Sequence, residues 1–353
     1  MKKFLSLLLA LVILFSVSGC DLLSPKEQEI ADENVRLKVH FIDVGQGDSI
    51  LLESKGEFVL IDAGEKESGS TVLKYIKSRN ADSLKYVIAT HPHSDHIGGL
   101  AKVINGVDAE NFITVETDQT TSTWMNVLKA VDQNDVNYID AVVGDTYAFG
   151  EATFTIMAPL SKNYSGYNSY SVVTMVQCGE IRFLLTGDAE KDSEKEMIDA
   201  GEDLRADVLK CGHHGSSTSS SAAFLKAVKP AYAIISCGKN NDYGHPHKET
   251  LKKLKLMDCT YLRTDKLGTI VASTDGKYLS FATEKGKTEI ATYSAGEGSG
   301  ETEVEYIGNK SSHIFHYPNC SGVKNMSEKN KVEFTSREEA AEAGYFPCSA
   351  CKP

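Results

Sequence analysis

Four potential metal ligands stand close together in the sequence: His91, His93, Asp95 and His96. Imidazole nitrogens and carboxylate oxygens are suitable ligands for zinc, and they also suit manganese or iron. The four residues follow an apolar run at 86–90, so the chain must turn sharply if their side chains are to converge. The alternate histidines, His91 and His93, could then face one ion. Asp95 and His96 would face a second ion, which predicts a two-metal centre at this turn.

Further candidate ligands lie later in the chain, again where apolar runs end. Asp188 follows such a run, and a carboxylate there could bridge two ions. It could instead be the N-cap of a following helix, a position that aspartate favours. His213 and His214 are adjacent, so only one of them should reach the same ion. We favour His214 as the ligand, with His213 turned outward or placed behind the ligands.

Four other polar residues could act on a phosphate group near these ligands. His245 and His247 lie in a loop with a glycine and a proline, where they could donate a proton to a leaving oxygen or hold a phosphate. Histidine suits either role because its charge changes near neutral pH. The same loop could instead serve only to begin a helix. Lys210 and Ser216 could add anion contacts around the same opening.

The elements that must position these residues alternate along the chain. Short apolar runs have the length of buried strands and stop at Gly, Asp or His, and segments with helical periodicity lie between some of them. This alternation predicts a layered α/β fold, in which polar residues at strand ends form the site. The strand-like runs are 37–44, 49–53, 58–62, 86–91, 182–188, 207–211 and 232–237, and the helical patterns are 71–79, 123–131, 222–228 and 248–257.

The motifs resemble a known superfamily. The spacing His-x-His-x-Asp-His-x-Gly-Gly at 91–99 resembles the signature of the metallo-β-lactamase superfamily, which implies an αββα sandwich of two sheets flanked by helices, with two divalent metals, Zn or Mn. Other segments resemble, in the same order, the hydrolase domain of ComEC-type competence proteins. They lie at 41–49, 58–64, 183–188, 209–216 and 243–247. No long apolar span follows the N-terminal one, so we expect a stand-alone hydrolase domain without the transport channel.

The resemblance implies roles for two further residues. Asp62 is similar to the aspartate of the superfamily's first motif, which orients a ligand histidine by hydrogen bonding; alternatively it is a turn-forming residue before Ala-Gly. Many members supply a third histidine to the first metal, yet no histidine occurs between His96 and Asp188. Asn168 and Ser171 occupy that place. We therefore expect the first metal to have fewer protein ligands and to bind more weakly.

The last fifty or so residues predict a separate small α+β module that zinc staples together. Its potential ligands are His316, Cys320, Cys348 and Cys351. The four nitrogen and sulfur ligands, in a His-x3-Cys pair and a Cys-x2-Cys pair, fit a closed tetrahedral zinc site. So short a segment can bury little apolar core, which a metal would compensate. A disulfide is the alternative in an oxidising compartment. The module resembles the metal-binding domain of Ada-type DNA repair proteins, although His316 stands where that family has its first cysteine.

The N-terminus predicts export and a lipid anchor. Two lysines precede an apolar run that is too short to span a bilayer comfortably and that ends in Val-Ser-Gly before Cys20. This ending resembles a bacterial lipobox, so Cys20 would carry the lipid; an uncleaved N-terminal anchor is the alternative. Both place the rest of the chain outside the cytoplasm. The predicted organisation is a signal peptide at 1–19, a tether at 20–35, a hydrolase domain at 36–288, a Gly/Ser/Glu linker at 289–303 and the zinc module at 304–353.

These predictions favour a metal-dependent phosphodiesterase or nuclease acting on DNA, with DNA-uptake machinery as a candidate partner. The formal net charge of -12 gives no general attraction to a polyanion, so metals and a few cations must hold the substrate locally. One alternative is a phosphodiesterase of cell-wall teichoic acid, similar to phosphorylcholine esterases, although no choline-binding repeats follow. Another is a non-catalytic lipoprotein that binds DNA. The sequence does not indicate an oligomeric state.

Overall fold

The computed structural model describes residues 32–285, 290–294, 306–318, 320–324, 326–334, 337–351 and 353. The predicted signal peptide, the predicted lipidation site Cys20 and most of the tether lie outside the described residues. No helix in the described part of the chain is long and apolar enough to cross a membrane.

Two β-sheets form the larger part of the molecule. The first has nine strands in the order β16-β15-β14-β1-β2-β3-β4-β5-β6, and the second has seven in the order β13-β12-β11-β10-β9-β8-β7. The strands of the first sheet are β1 (Leu37–Phe41), β2 (Ile50–Ser54), β3 (Glu57–Ile61), β4 (Ser83–Ile88), β5 (Asp108–Thr114), β6 (Asn137–Asp140), β14 (Ile270–Thr274), β15 (Tyr278–Thr283) and β16 (Ile290–Ser294). Those of the second are β7 (Thr146–Phe149), β8 (Ala152–Ala158), β9 (Val173–Cys178), β10 (Ile181–Leu185), β11 (Val208–Lys210), β12 (Tyr232–Ile235) and β13 (Thr260–Arg263).

Helices cover the outer face of each sheet. The α-helices of this part are α1 (Gly69–Ser78), α2 (Ser94–Ile97), α3 (Leu100–Ile104), α4 (Ser122–Gln133), α5 (Lys191–Asp199), α6 (Ala222–Val228), α7 (Lys248–Leu256) and α8 (Thr264–Leu267). Short 3₁₀ turns occur at Asp32–Asn34, Lys66–Ser68, Tyr167–Tyr170 and Gly212–Gly215. In α4 the buried residues Trp124, Val127 and Val131 recur at helical spacing, which places one apolar stripe against the first sheet.

The core has three layers that follow from this arrangement. Leu37, Val39 and Phe41 alternate along β1 and point between the sheets, where they belong to one cluster with Phe154 and Phe183 from the second sheet. A second cluster lies between the first sheet and α1, α3 and α4, and a third lies between the second sheet and α5, α6 and α7. The predicted αββα sandwich is therefore confirmed.

Parallel pairing brings the candidate site residues to one edge. β3, β4 and β5 run parallel in the first sheet, and β10, β11 and β12 run parallel in the second. Their carboxyl ends meet at the same edge of the sandwich, where ligands usually bind in folds of this kind. Asp62 follows β3, the turn at 90–97 follows β4, Asp188 follows β10, and the turn with His213 and His214 follows β11.

The C-terminal module has its own four-stranded sheet, in the order β19-β17-β18-β20. Its elements are β17 (Tyr306–Asn309), β18 (Ile314–His316), α9 (Ser321–Lys324), a 3₁₀ turn (Glu328–Asn330), β19 (Lys331–Phe334), α10 (Arg337–Glu342) and β20 (Phe346–Pro347). Tyr306, Phe315 and Phe334 form most of a small core. One boundary differs from the prediction, because β16 lies within the predicted linker at 289–303 and pairs with β15.

Candidate metal centre

The turn after β4 carries the first group of potential ligands. His91 is buried, and its Nε2 lies 3.0 Å from Nδ1 of His93. Asp95 and His96 belong to α2, which begins directly after His93. The loop at 45–48 packs tightly against this turn, because a Cβ on Gly47 would lie 2.1 Å from the Asp95 carbonyl oxygen. Only glycine permits this approach, which fixes where the turn lies relative to the connection between β1 and β2.

Asp62 holds His96 in one orientation. Its side chain accepts hydrogen bonds from the Thr90 backbone N–H at 2.9 Å and the Thr90 hydroxyl at 2.6 Å. The carboxylate also accepts the Nδ1–H of His96 at 2.7 Å. With the proton on Nδ1, the lone pair on Nε2 of His96 faces the centre. The contact matches the role that the resemblance implied for Asp62.

His214 enters the centre from the second sheet. Both His213 and His214 have left-handed backbone conformations, with φ of 50° and 54°, which is costly for residues with a Cβ. The planes of the two adjacent rings differ by 71°, and their centres lie 6.0 Å apart. His214 is buried and donates its Nδ1–H to the Ser236 carbonyl at 3.0 Å. Its Nε2 lone pair therefore faces Asp95 Oδ2, 3.1 Å away.

Asp188 lies between the two groups of histidines. Its Oδ1 is 3.2 Å from His96 Nε2, and its Oδ2 is 3.4 Å from His214 Nε2. On the other side, Oδ2 is 3.7 Å from His213 Nε2 and 4.0 Å from His91 Nε2. The alternative role as an N-cap does not fit, since α5 begins after Glu190 rather than after Asp188. Asp188 thus occupies the place that a carboxylate bridging two ions requires.

The donor atoms fit divalent cations. Nε2 of His96 and of His214 both carry lone pairs toward oxygens of Asp188, and Asp188 Oδ1 is buried without a hydrogen-bond partner. Such lone pairs repel one another unless positive charge lies between them. Burial disfavours the charged form of the His96 ring, yet Asp188, Asp62 and other carboxylates raise its pKa well above the usual value. The site therefore stabilises positive charge, and its mixed nitrogen and oxygen donors suit zinc or manganese.

The half of the centre next to His91 and His93 has fewer donors. Ser171 places its Oγ 3.3 Å from Nδ1 of His91, on the far side of that ring from Asp188. Asn168 donates to Glu190 at 3.2 Å and lies 3.4 Å from His213 Nδ1. Neither Asn168 nor Ser171 replaces the third histidine. His213 points toward Asp188 rather than outward, so its ring is the nearest further donor on this side.

Comparisons with known proteins agree with this geometry. The family model of the metallo-β-lactamase superfamily matches residues 42–239. The chain belongs to this superfamily. The model of the metal-binding domain of Ada matches residues 302–353.

Curated relatives link this superfamily member to competence proteins. It is 32% identical over 258 residues to ComE operon protein 3 of Bacillus subtilis, covering 66% of this chain and 32% of that protein. It is 32% identical over 222 residues to Recombination protein 2 of Haemophilus influenzae, covering 62% of this chain and 26% of that protein. The chain therefore spans about a third or less of these relatives. Among solved structures, the metallo-β-lactamase fold protein YhfI of Bacillus subtilis has a TM-score of 0.46 and 16% identity, over 64% of this chain and 95% of that one.

A buried ion pair that lies behind the metal centre was not predicted from the sequence. Lys210 is fully buried, donates to the Gly187 carbonyl at 3.2 Å and forms an ion pair with Asp48. Asp48 Oδ1 lies 3.4 Å from His214 Nδ1, so Asp48 sits behind the ring and not among the Nε2 lone pairs. Burial alone would raise the pKa of Asp48, but Lys210 and His214 hold it below its ordinary value. In the sequence, Asp48 is marked by its position directly after a glycine-rich turn and between two strand-like runs.

This pairing corrects the prediction for Lys210. Its ammonium group is directed at Asp48 and Gly187, so it cannot contact an anion at the opening. Ser216 is also buried, and its hydroxyl accepts hydrogen bonds from the backbone and side chain of Thr218. The prediction of anion contacts from Lys210 and Ser216 is not supported by their placement, because neither group faces solvent.

His245 and His247 have different surroundings. His245 stacks on Tyr243, its ring centre is 5.4 Å from that of His213, and its Nδ1 is buried without a partner. Burial, with the neighbouring histidines, lowers the pKa of His245 to about 4, so the ring is neutral at neutral pH. His247 instead accepts the Ser217 backbone N–H at 2.9 Å and lies 3.2 Å from the Tyr243 carbonyl. Both ring nitrogens of His247 therefore have neighbours in the protein, and its catalytic role stays a prediction.

The C-terminal module brings its four predicted ligands together. Ligand atoms of His316, Cys320, Cys348 and Cys351 all lie within 4.8 Å of one another. All cysteines in the described part of the chain are free, so the alternative of a disulfide is not seen. The buried Nδ1 of His316 has no hydrogen-bond partner. Three sulfurs and one imidazole nitrogen fit a closed tetrahedral zinc site.

Proposed function

We propose that the chain is a metal-dependent phosphodiesterase that acts on DNA. The observation that carries this proposal is the convergence of histidine and carboxylate lone pairs on the two sides of Asp188. Two divalent cations held there would lower the pKa of a bound water and stabilise negative charge on a phosphoryl group. The donors on the side of His91 are fewer, which leaves coordination positions for water and substrate.

Different residues around the centre would have different roles in this reaction. Asp62 and the Ser236 carbonyl each hold a histidine with its proton on Nδ1, so that Nε2 stays available to a cation. Asp188 lies between both sides of the centre, with Oδ1 near His96 and Oδ2 near His214, His213 and His91. His245 lies beside His213 with an unpaired ring nitrogen, and as a neutral imidazole it can donate one N–H to a phosphate oxygen. Its low pKa does not favour the role of general acid.

DNA is the proposed substrate because the curated relatives include proteins named for competence and recombination. The net charge of -12 provides no general attraction to a polyanion. Affinity for a phosphate chain must therefore come from cations at the centre. We expect weak binding of DNA in the absence of metal and stronger binding with zinc or manganese present.

The test is cleavage of labelled DNA by the full chain in detergent, with zinc or manganese. A matched Asp188→Ala protein loses the shared carboxylate and should lose cleavage by at least two orders of magnitude, and so should the wild type with chelator. Cleavage that persists in Asp188→Ala would point to a contaminating nuclease. A folded, metal-loaded wild type that cleaves neither single-stranded nor double-stranded DNA would overturn the proposal.

We further propose that Cys20 carries a lipid and anchors the protein outside the cytoplasm. The proposal is supported by the N-terminal sequence, with two lysines, an apolar run and Val-Ser-Gly before Cys20. Mass spectrometry of the purified protein should detect an N-terminal lipidated cysteine after removal of residues 1–19. Replacement Cys20→Ala should abolish that modification. Recovery of an unprocessed N-terminus from wild-type membranes would favour the uncleaved anchor instead.

A further inference from the structure

A cleft of about 980 Å³ opens beside the metal centre. Its walls come from the segment after β5, from the β6–β7 connection and from the segment between β8 and β9. Apolar and aromatic groups form much of the lining. Val142 and Leu160, which are 53% and 39% exposed, lie in it together with Tyr164, Tyr167 and Tyr170.

The tyrosine rings are held in place by hydrogen bonds at their hydroxyl groups. Tyr167 donates to Asp118 at 2.8 Å, and Tyr170 donates to the Lys162 carbonyl at 2.8 Å. Tyr164 donates to Glu196. The rings of Tyr164 and Tyr170 meet edge to face, with centres 5.1 Å apart. The cleft therefore presents ring faces whose orientation is fixed before any ligand binds.

The cleft lies next to the side of the centre that has fewer donors. The ring of Tyr167 lies 6.2 Å from the ring of His93, and Asn168 follows Tyr167 in the same 3₁₀ turn. The opposite wall begins at Val115, directly after Thr114, whose hydroxyl donates to the Ala89 carbonyl just before the ligand turn. A ligand with its phosphate at the centre would thus extend its next group into the cleft.

The charges in the cleft exclude phosphates from it. Glu116, Asp118 and Asp140 line it, and Lys162 is the basic residue among the lining groups. Like charges repel a phosphate chain here. Nucleobases fit the same surface, because their faces stack on aromatic rings and their amino and ring N–H groups can donate to carboxylates. The charge pattern therefore separates a position for phosphate, at the metals, from a position for bases, in the cleft.

We propose that this cleft binds unpaired bases of a DNA strand whose phosphodiester lies at the metal centre. Paired bases inside a duplex offer neither face nor Watson–Crick edge to Tyr167, so the cleft selects single-stranded DNA. This inference rests on the proposed phosphodiesterase function, which it deepens by naming the form of the substrate.

Equilibrium binding to the full, metal-loaded chain tests the proposal without requiring hydrolysis. The probes are a fluorescent single-stranded oligonucleotide with phosphorothioate linkages, an abasic oligomer of the same length and linkage, and the corresponding duplex. Loss of one stacked base weakens binding about fivefold or more, so wild type should bind the base-containing strand at least about fivefold more tightly than either control probe. Tyr167→Ala should remove this difference, whereas Tyr167→Phe keeps the ring and should largely restore it.

Tyr261→Ala is the matched control, because Tyr261 is 37% exposed and lies on β13, outside the lining of the cleft. It should leave the ratio of affinities unchanged. Equal affinity of wild type for the base-containing and abasic strands would overturn the proposal, and this comparison needs no variant to fold. If glycerophosphocholine displaced the oligonucleotide from wild type but not from Tyr167→Ala, while the bases of the probe had no effect on affinity, the proposal would be overturned in favour of a cleft that binds a cationic phosphodiester. Failure of DNA cleavage alone would overturn only the proposed reaction, since base-dependent binding is measured separately.

Discussion

Replacing Lys210 by methionine should destabilise the larger domain strongly, although the side chain touches no solvent and keeps a similar length. The ammonium group of Lys210 is the cation that pairs with the buried carboxylate of Asp48. In Lys210→Met that carboxylate stays buried next to His214 without its cation. It must then either remain charged at a high cost or take up a proton.

The size of the effect follows from the burial of both partners. Both side chains are almost completely excluded from solvent. Removing one partner of such a pair costs about 3–5 kcal/mol, because an uncompensated charge remains in the interior. For a domain of this size each kcal/mol lowers the unfolding temperature by about 2–4 °C, so the expected loss is about 6–20 °C.

Thermal unfolding of the metal-loaded protein, followed by circular dichroism, measures this loss. Lys226→Met is the matched control, because Lys226 is exposed on α6 and should change the free energy of unfolding by less than about 0.5 kcal/mol. In the double variant Asp48→Asn, Lys210→Met both charges are gone, so its loss should be clearly smaller than the sum of the two single losses. If Lys210→Met unfolded at the same temperature as Lys226→Met, the reasoning about the buried pair would be refuted.

Three further results are expected. Asp62→Ala removes the acceptor that orients His96 and should weaken metal binding by about 10- to 100-fold in competition with a chelating dye; unchanged affinity would contradict the orienting role. Native mass spectrometry of Cys348→Ser should show one zinc fewer per chain, while the metals of the larger domain remain. An unchanged number of zinc ions would exclude His316, Cys320, Cys348 and Cys351 as a zinc site. Burial lowers the pKa of His40 in the folded protein. As the pH falls through about 6.5, the histidine therefore takes up a proton in the unfolded chain first, and the free energy of unfolding should decrease. Urea titrations of His40→Gln should show a shallower decrease with pH, and a decrease identical to that of the wild type would contradict this role of His40.

Local signals predicted some elements well and others not at all. The helix predicted at 222–228 is α6, Ala222–Val228, because Ser221 caps its first turn and apolar residues recur on one face. β6, Asn137–Asp140, carried no such signal, since it is a mostly exposed edge strand with polar residues. Its place in the sheet is decided by pairing with β5, a contact that no local pattern contains.

The sequence by itself determined where metal ligands could cluster. The ligands at 91–96 lie on one turn, and the spacings of His316 to Cys320 and of Cys348 to Cys351 place two donors of each pair close together whatever the rest of the chain does. Ligand type and short spacing are local properties, so they are readable without a fold. The same holds for the α/β class, which follows from the alternation of apolar runs and helical patterns.

Only the tertiary structure decided how the two sheets share the centre. Asp95 and His214 are 119 positions apart, and their contact depends on how the two sheets pack. Both His213 and His214 approach Asp188, at 3.7 and 3.4 Å, although their adjacency in the sequence predicted that only one would do so. The pairing of Lys210 with Asp48 depends on burial from both sides. These features arise from contacts between distant segments, whose energies become favourable only when the whole sandwich excludes water. Spacing along the chain carries no information about such contacts. For this reason the sequence predicted candidate ligands but not the buried ion pair of Asp48 and Lys210 behind them.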